Sequence, residues 1–193
     1  MGYDLLAAIL FVALTPFVLA GFILFWTVNA RDHEELAASW RGYARKRELT
    51  FVEPEGDWPN RTAPGITWND DGTELRLSAV GREARVRTRL SIKPRCALLG
   101  TFSVLVRESG DPEVIRERPA AFTQRVVSDR VRRALLGFRQ RDRITLGYRR
   151  GRITLEWASG EQNHARLDEA RRVAAEIARA IDEQFHAAAR AAA

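Results

Sequence analysis

The residues that could do chemistry in this chain are histidines, acids and one cysteine, and their spacing assembles no catalytic or metal-binding motif. The histidines His33, His164 and His186 each lie near the end of an expected helix, and none has a second ligand three or four residues away. The sequence also contains no glycine-rich phosphate loop, no dinucleotide-binding fingerprint and no nucleophile elbow. We therefore expect no metal, no cofactor and no enzymatic activity.

The single cysteine, Cys96, excludes an intramolecular disulfide. It is followed by Ala97, Leu98 and Leu99, so we expect it to be a small buried core residue rather than a nucleophile. A chain without disulfides also fits a reducing compartment.

A row of cationic side chains is the most specific binding signal in the sequence. In the stretch ARVRTRLSIKPR, residues 84–95, alternation predicts a strand with Arg85, Arg87, Arg89 and Lys93 on one face. Such a face can simply be solvated, or it can contact anionic lipid headgroups or an acidic protein partner. Nucleic-acid binding is not expected, because the row lacks the interleaved aromatic residues on which single-strand binders stack bases.

Composition limits how much weight the arginines carry. Lys and Arg total 31 against 25 Asp and Glu, which gives a net charge of +6. Only Lys46 and Lys93 are lysines, so the chain is strongly biased toward arginine. Such a bias can arise from the base composition of the coding DNA, without selection for anion binding.

The N-terminal segment is the most apolar part of the chain. Residues 5–28 contain no charged side chain, and a helix of this length spans roughly 36 Å, enough for a hydrocarbon core of about 30 Å. We expect residues 1–30 to be a transmembrane anchor with Tyr3, Trp26 and Arg31 at the membrane interfaces. The alternative is a cleaved signal peptide, but no Lys or Arg precedes the apolar run.

Flanking cations predict the orientation of this anchor. Residues 1–4 carry none, whereas residues 31–50 carry Arg31, Arg41, Arg45, Lys46 and Arg47. The positive-inside rule then places the N-terminus outside and the following domain in the cytoplasm. The expected location is the inner membrane of a bacterial cell, as a single-pass protein.

The elements that must position the basic row predict an α+β fold. Residues 31–50 form an expected amphipathic connecting helix, whose stripe of Leu36, Trp40 and Tyr43 packs on the domain. Residues 51–193 form the domain itself. The predicted architecture is one N-terminal transmembrane helix followed by an antiparallel sheet of about five or six strands covered by helices.

Local signals place the individual elements of the domain. The predicted elements are strands at 66–68, 73–80, 83–93 and 99–107, a short helical turn from Pro112 to Pro119, a helix near 129–138, a hairpin of 144–148 and 152–157, and a helix over about 164–186 with Asn163 as its cap. A two-residue turn at Gly81-Arg82 would pair Leu77 with Val86 and set Arg76 opposite Arg87. This register gives one apolar and one charged face.

These features together predict a partner-binding role. We expect a membrane-anchored protein whose cytoplasmic, non-catalytic domain is a binding or adaptor module, with Trp40, Tyr43 and the basic strand face as its surface candidates. Its expected partners are the lipid bilayer and a protein. The alternative is an accessory subunit of a larger membrane complex, in which the anchor packs against other helices. A third possibility is an enzyme whose site is assembled from distant residues.

Overall fold

The computed structural model describes residues 2–56, 62–70, 72–81, 86–107, 112–138, 143–158 and 160–192. The elements are, in chain order, α1 (Gly2–Lys46), β1 (Thr50–Val52), β2 (Gly65–Asp70), β3 (Thr73–Val80), β4 (Arg87–Lys93), β5 (Thr101–Val106), β6 (Glu113–Arg118), α2 (Phe122–Val126), α3 (Asp129–Phe138), β7 (Ile144–Arg149), β8 (Arg152–Ala158) and α4 (His164–Ala192). The chain divides into two units, Met1–Glu35 and Leu36–Ala193.

The first unit is helical and exposes much of its apolar surface. The side chains of Phe11, Phe17 and Val18 are all at least 69% exposed. Near the end of this unit, Arg31 Nε lies 2.8 Å from Glu35 Oε1. The two residues are four positions apart and form an exposed ion pair along the helix.

The prediction of a transmembrane anchor over residues 1–30 is wrong. Among the residues that the structure describes, no helix is both long enough and apolar enough to cross a membrane. The predicted inner-membrane location and single-pass orientation are wrong for the same reason. The side chains of Tyr3 and Trp26 lie outside the described residues.

The second unit is built on one antiparallel sheet of eight strands in the order β1-β2-β3-β4-β8-β7-β5-β6. The α+β character predicted from the sequence agrees with this sheet and its helices, but the predicted number of strands is too low. Two strands account for the difference. β1 has three residues, too few for a clear alternation pattern, and β6 occupies a segment that predicts a helical turn.

The pairing of β3 with β4 differs from the predicted register by four residues. Leu77 faces Leu90, where the two-residue turn would have placed Val86. Because the shift is an even number, every side chain keeps its predicted face. The observed register also removes a like-charge pair, since Arg76 faces Ser91 instead of another arginine.

The segment Glu113–Arg118 is a strand, whereas the flanking prolines predict a short helical turn. Its adjacent β-branched residues, Val114 and Ile115, favour extended backbone. Pairing with β5 then supplies backbone hydrogen-bond partners along one side of the strand. Long-range pairing of this kind outweighs the local helix-start signal.

Helices cover one face of the sheet and bury the core against it. Residues Leu36, Trp40, Tyr43 and Ala44 of α1 belong to this core, which confirms the predicted apolar stripe. Trp40 and Tyr43 are 0% and 1% exposed, so their prediction as surface candidates is wrong. The predicted final helix is confirmed as α4.

The start of α4 is fixed by the predicted cap. Asn163 Oδ1 accepts hydrogen bonds from the backbone N–H groups of Ala165 at 3.0 Å and of Arg166 at 3.4 Å. An asparagine at this position satisfies N–H groups that have no partner within the helix.

The backbone of Glu161 joins α1 to the sheet. Its carbonyl oxygen accepts a 2.6 Å hydrogen bond from Trp40 Nε1, and its N–H donates to Thr88 Oγ1 at 2.8 Å. Glu161 is 7% exposed, so both hydrogen bonds are shielded from water. One residue thereby sets where α1 lies against β4.

The carboxylate of Glu161 extends this link to β8 and α4. It accepts hydrogen bonds from Trp157 Nε1 at 3.3 Å and from the Asn163 N–H at 2.9 Å, and Arg166 Nε lies 3.3 Å away. A buried charge is tolerated only when it is paired and hydrogen-bonded, and both conditions hold here.

Replacing Glu161 should therefore destabilise the domain strongly. We expect Glu161→Ala to lower the free energy of unfolding by about 3–5 kcal/mol, because it removes the buried carboxylate that pairs with Arg166 and accepts hydrogen bonds from Trp157 and Asn163. Glu53→Ala, which removes an exposed ion pair with Arg41, is the matched control and should cost at most about 1 kcal/mol. Urea denaturation followed by circular dichroism measures both, and equal losses would contradict this role.

A second polar link joins α1 to α4. Tyr43 donates a 2.9 Å hydrogen bond to Asp168 Oδ1, and Arg47 binds the other carboxylate oxygen. Burial raises the pKa of Tyr43 to about 12, and the hydrogen bond to Asp168 also favours its neutral form. Burial by itself would raise the pKa of Asp168, but the hydrogen bonds from Arg47 and Tyr43 hold it below its ordinary value.

The lowered pKa of Asp168 predicts a specific sensitivity to acid. Its contribution to stability is present above the ordinary aspartate pKa of about 3.9 and is lost as the pH falls through the lower folded-state value. We expect Asp168→Asn to reduce the drop in melting temperature between pH 6 and pH 3. The exposed Glu183→Gln on the same helix should retain the wild-type drop, and identical profiles for all three proteins would refute the assignment.

Candidate functional site

The described members of the predicted basic row lie on the face of the sheet opposite the helices, and two of them have an acidic neighbour. Arg89 Nε lies 2.6 Å from Glu156 Oε1, and Lys93 Nζ lies 3.8 Å from Glu74 Oε2. Arg87 is exposed at the start of β4, and Arg85 lies outside the described residues. The row therefore offers less free positive charge than its sequence indicates.

A different set of arginines forms the larger unpaired cluster on this face. We call Arg116, Arg118, Arg149 and Arg152 the arginine group. Arg149 is paired in register with Arg152 and with Thr101, and Thr101 is paired with Arg118. The fourth member, Arg116, is two residues from Arg118 and shares its face.

The register places the arginine group across four neighbouring strands. Arg152 lies on β8, Arg149 on β7, and Arg116 and Arg118 on β6, with β5 between β7 and β6. At about 4.8 Å per strand, the group spans roughly 14 Å. Side chains that alternate with these arginines, such as Tyr148 and Ile153, are buried in the core, so the arginines lie on the uncovered face.

Small residues form the floor beneath the arginine group. Ser103 is paired with Gly147, and Gly147 is paired with Thr154. A Cβ placed on Gly147 would lie 3.1 Å from Thr154 Oγ1, so the glycine keeps this strip low. The guanidinium groups therefore border a shallow strip lined by hydroxyl groups.

The arginine group differs from the predicted row in its lack of acidic partners. All four side chains are exposed, and among the described residues none has a carboxylate within ion-pair distance. Guanidinium groups bind carboxylates and phosphates with two parallel hydrogen bonds. Because each exposed pair contributes at most about 1 kcal/mol, the group suits binding through several contacts at once.

The shape of this face favours a macromolecular partner over a small molecule. The face is a sheet surface with a shallow strip, whereas small ligands bind in concave sites of about 300–1,000 Å³. A cavity of about 210 Å³ lies elsewhere, between α4 and the β2–β3 hairpin, and is lined by residues that include Thr73 and Asp182.

Among the described residues, Ser39 and His164 resemble a nucleophile and its general base. Their hydrogen bonds, however, give the pair a structural role. Ser39 Oγ lies 3.3 Å from His164 Nε2. The same nitrogen lies 3.1 Å from the carbonyl oxygen of Ser39, which can only accept a hydrogen bond, so Nε2 carries the proton. It therefore cannot take a proton from the Ser39 hydroxyl.

Potential metal ligands and the cysteine also lack an arrangement that would support chemistry in the described residues. Within the described ranges, no cluster of three His, Cys, Asp or Glu side chains forms a metal site. Cys96 is partly buried, not fully buried as predicted. Desolvation and the neighbouring Asp182 raise the pKa of its thiol, which disfavours the reactive thiolate.

Comparison with known proteins gives a likeness of fold. No protein-family model and no curated protein matches the chain. Among solved structures, the crystal structure of the mycobacterial trehalose monomycolate transport factor A, TtfA, is similar, with a TM-score of 0.53 and 10% sequence identity. The match covers 75% of this chain and 93% of that chain. The two chains share a fold.

The sequence contained part of the signal for the arginine group. Arg149 and Arg152 flank the turn of the predicted 144–157 hairpin. Arg116 and Arg118 alternate with Glu117 in the segment that was predicted to be helical. Recognising that alternation as a strand would have placed two cations on one face. The pairing of β5 with both β6 and β7 is needed to bring the four arginines together, and the sequence does not show it.

Proposed function

We propose that this protein is a non-catalytic, partner-binding accessory factor that binds an acidic surface of another protein through the arginine group. The observation that carries the proposal is the contrast between two halves of one sheet face. On the β3–β4 side, Arg89 and Lys93 have acidic partners while Arg76 and Arg87 are exposed, whereas no member of the arginine group has an acidic partner among the described residues. Unpaired cations concentrated in one place favour association with an acidic partner and increase its rate.

The likeness to TtfA supports an accessory role. That protein is described as a transport factor, and this chain shares its fold over most of both lengths. We extend this to the chain as a role in an assembly that depends on protein contacts. The exposed side chains of the N-terminal unit, such as Phe11 and Phe17, support the same idea, since large apolar surfaces are usually covered by a partner.

Charge reversal tests the proposed binding surface. We expect Arg149→Glu/Arg152→Glu to weaken binding to fluorescent poly-L-glutamate about tenfold or more in low salt, which corresponds to about 1.4 kcal/mol. The matched control, Arg132→Glu/Arg133→Glu, reverses two exposed arginines on α3 and should change binding less than about twofold. Fluorescence anisotropy over a salt series measures both variants.

Two results would contradict the proposal. Equal losses in the two variants would mean that poly-L-glutamate responds only to net charge. Tighter binding to protein-free vesicles containing phosphatidylglycerol, lost in the Arg149→Glu/Arg152→Glu variant, would identify a lipid surface as the partner of this face.

A further inference from the structure

The strand β6 forms one edge of the sheet built by the described strands. It has β5 as its neighbour, and no described strand pairs with its other side. The opposite edge strand, β1, has three residues, whereas β6 has six. An edge of this length, whose outward N–H and C=O groups are not paired with any described strand, can accept an additional strand from another chain.

Two apolar side chains of β6 are exposed to an extent that is typical of residues covered by a partner chain. Val114 is 46% exposed and Ile115 is 57% exposed, and they are the exposed large apolar residues within the described strands. The register pairs Val114 with Val104 and Arg116 with Ser103, which leaves Ile115 unpaired at a bulge. Exposed β-branched residues on an edge strand promote strand addition.

The end of β6 is hydrogen-bonded to the start of α2. The carboxylate of Glu117 accepts hydrogen bonds from the N–H groups of Ala121 and Thr123, both at 3.0 Å. These bonds hold the pKa of Glu117 below its ordinary value, so the carboxylate stays charged and the contact persists at neutral pH. An edge that is already ordered loses little entropy when a partner strand binds.

The charge beside this edge determines which strand fits. Arg116 and Arg118 lie on the open face of β6, and Arg149 lies two strands away. Side chains of an added strand on that face would lie about 5 Å from the two β6 arginines, where acidic residues are attracted and basic residues are repelled. A second copy of this chain would bring its own arginine group to the junction, so an acidic segment is the better occupant.

We propose that β6 accepts an extended acidic segment of a partner protein as a ninth, antiparallel or parallel strand of the sheet. Acidic side chains of the segment contact Arg116 and Arg118, and its alternate apolar side chains contact Val114. This inference rests on the proposed function, because it specifies how the same face contacts its acidic partner.

Two peptides of equal charge separate strand addition from simple charge attraction. The first, acetyl-TEVEVET-amide, can form a strand with acids on one face. The second, acetyl-TEPEPET-amide, has the same charge but cannot continue a hydrogen-bonded ladder. We expect the first peptide to bind at least about tenfold tighter by fluorescence anisotropy, and to slow hydrogen exchange of the backbone amides within residues 113–118.

A charge swap provides the matched protein variant. We expect Arg116→Glu/Arg118→Glu to lose TEVEVET and to gain binding of acetyl-TKVKVKT-amide, because the contacts are reversed while the backbone edge is retained. The Arg132→Glu/Arg133→Glu variant should retain the wild-type preference. Circular dichroism of each variant shows that the fold is intact.

The possible failures are distinguishable. Equal binding of TEVEVET and TEPEPET, with no change in exchange within 113–118, would overturn strand addition and leave the proposed function standing. Failure of the wild-type protein to bind either peptide or poly-L-glutamate would overturn both. Slow exchange at 113–118 without peptide, together with a dimer in sedimentation that Arg116→Glu/Arg118→Glu dissociates, would show that a second copy occupies the edge.

Discussion

One buried residue, Glu161, fixes how the two layers of the domain meet through its backbone and its carboxylate. Glu161 contacts Trp40 of α1, Thr88 of β4, Trp157 of β8 and Arg166 of α4, so a single charged residue joins both long helices to the middle of the sheet. Because desolvating a carboxylate is costly, its burial depends on the Trp157 and Asn163 donors and on Arg166, while the backbone of the same residue binds Trp40 and Thr88. The helices are thereby held on one face, and the other face is left open with its arginines.

The open face shows why counting cations in a sequence does not locate a binding surface. Arg89 and Lys93 stood out in the sequence, but Glu156 and Glu74 lie beside them once the strands pair. The arginine group is less conspicuous in the sequence because its members come from separate segments. What distinguishes this group is that its members have no acidic neighbour among the described residues. Its members come together only because β5 pairs with both β6 and β7.

Local signals in the sequence predicted the elements whose contacts are local. The 144–157 hairpin, the helix near 129–138 and the Asn163 cap each depend on a few adjacent residues, and each is present. The β3–β4 register was wrong by four residues because an alternating pattern is unchanged by an even shift. The strand β6 was not predicted because Pro112 favours a helix start. The strand is stabilised by pairing with β5, which precedes it by several residues in the chain. The apolar N-terminal segment predicted a membrane-spanning helix, and no described helix meets that requirement.

In the proposed function, the open face and not the helical face contacts the partner. Photo-crosslinking in living cells tests it directly, with p-benzoylphenylalanine in place of Ser103 on the open face or of Arg133 on exposed α3. We expect a protein adduct from position 103 that disappears when Arg149 and Arg152 are both replaced by glutamate. An adduct formed from position 133 alone, or one at position 103 that survives the two replacements, would contradict it.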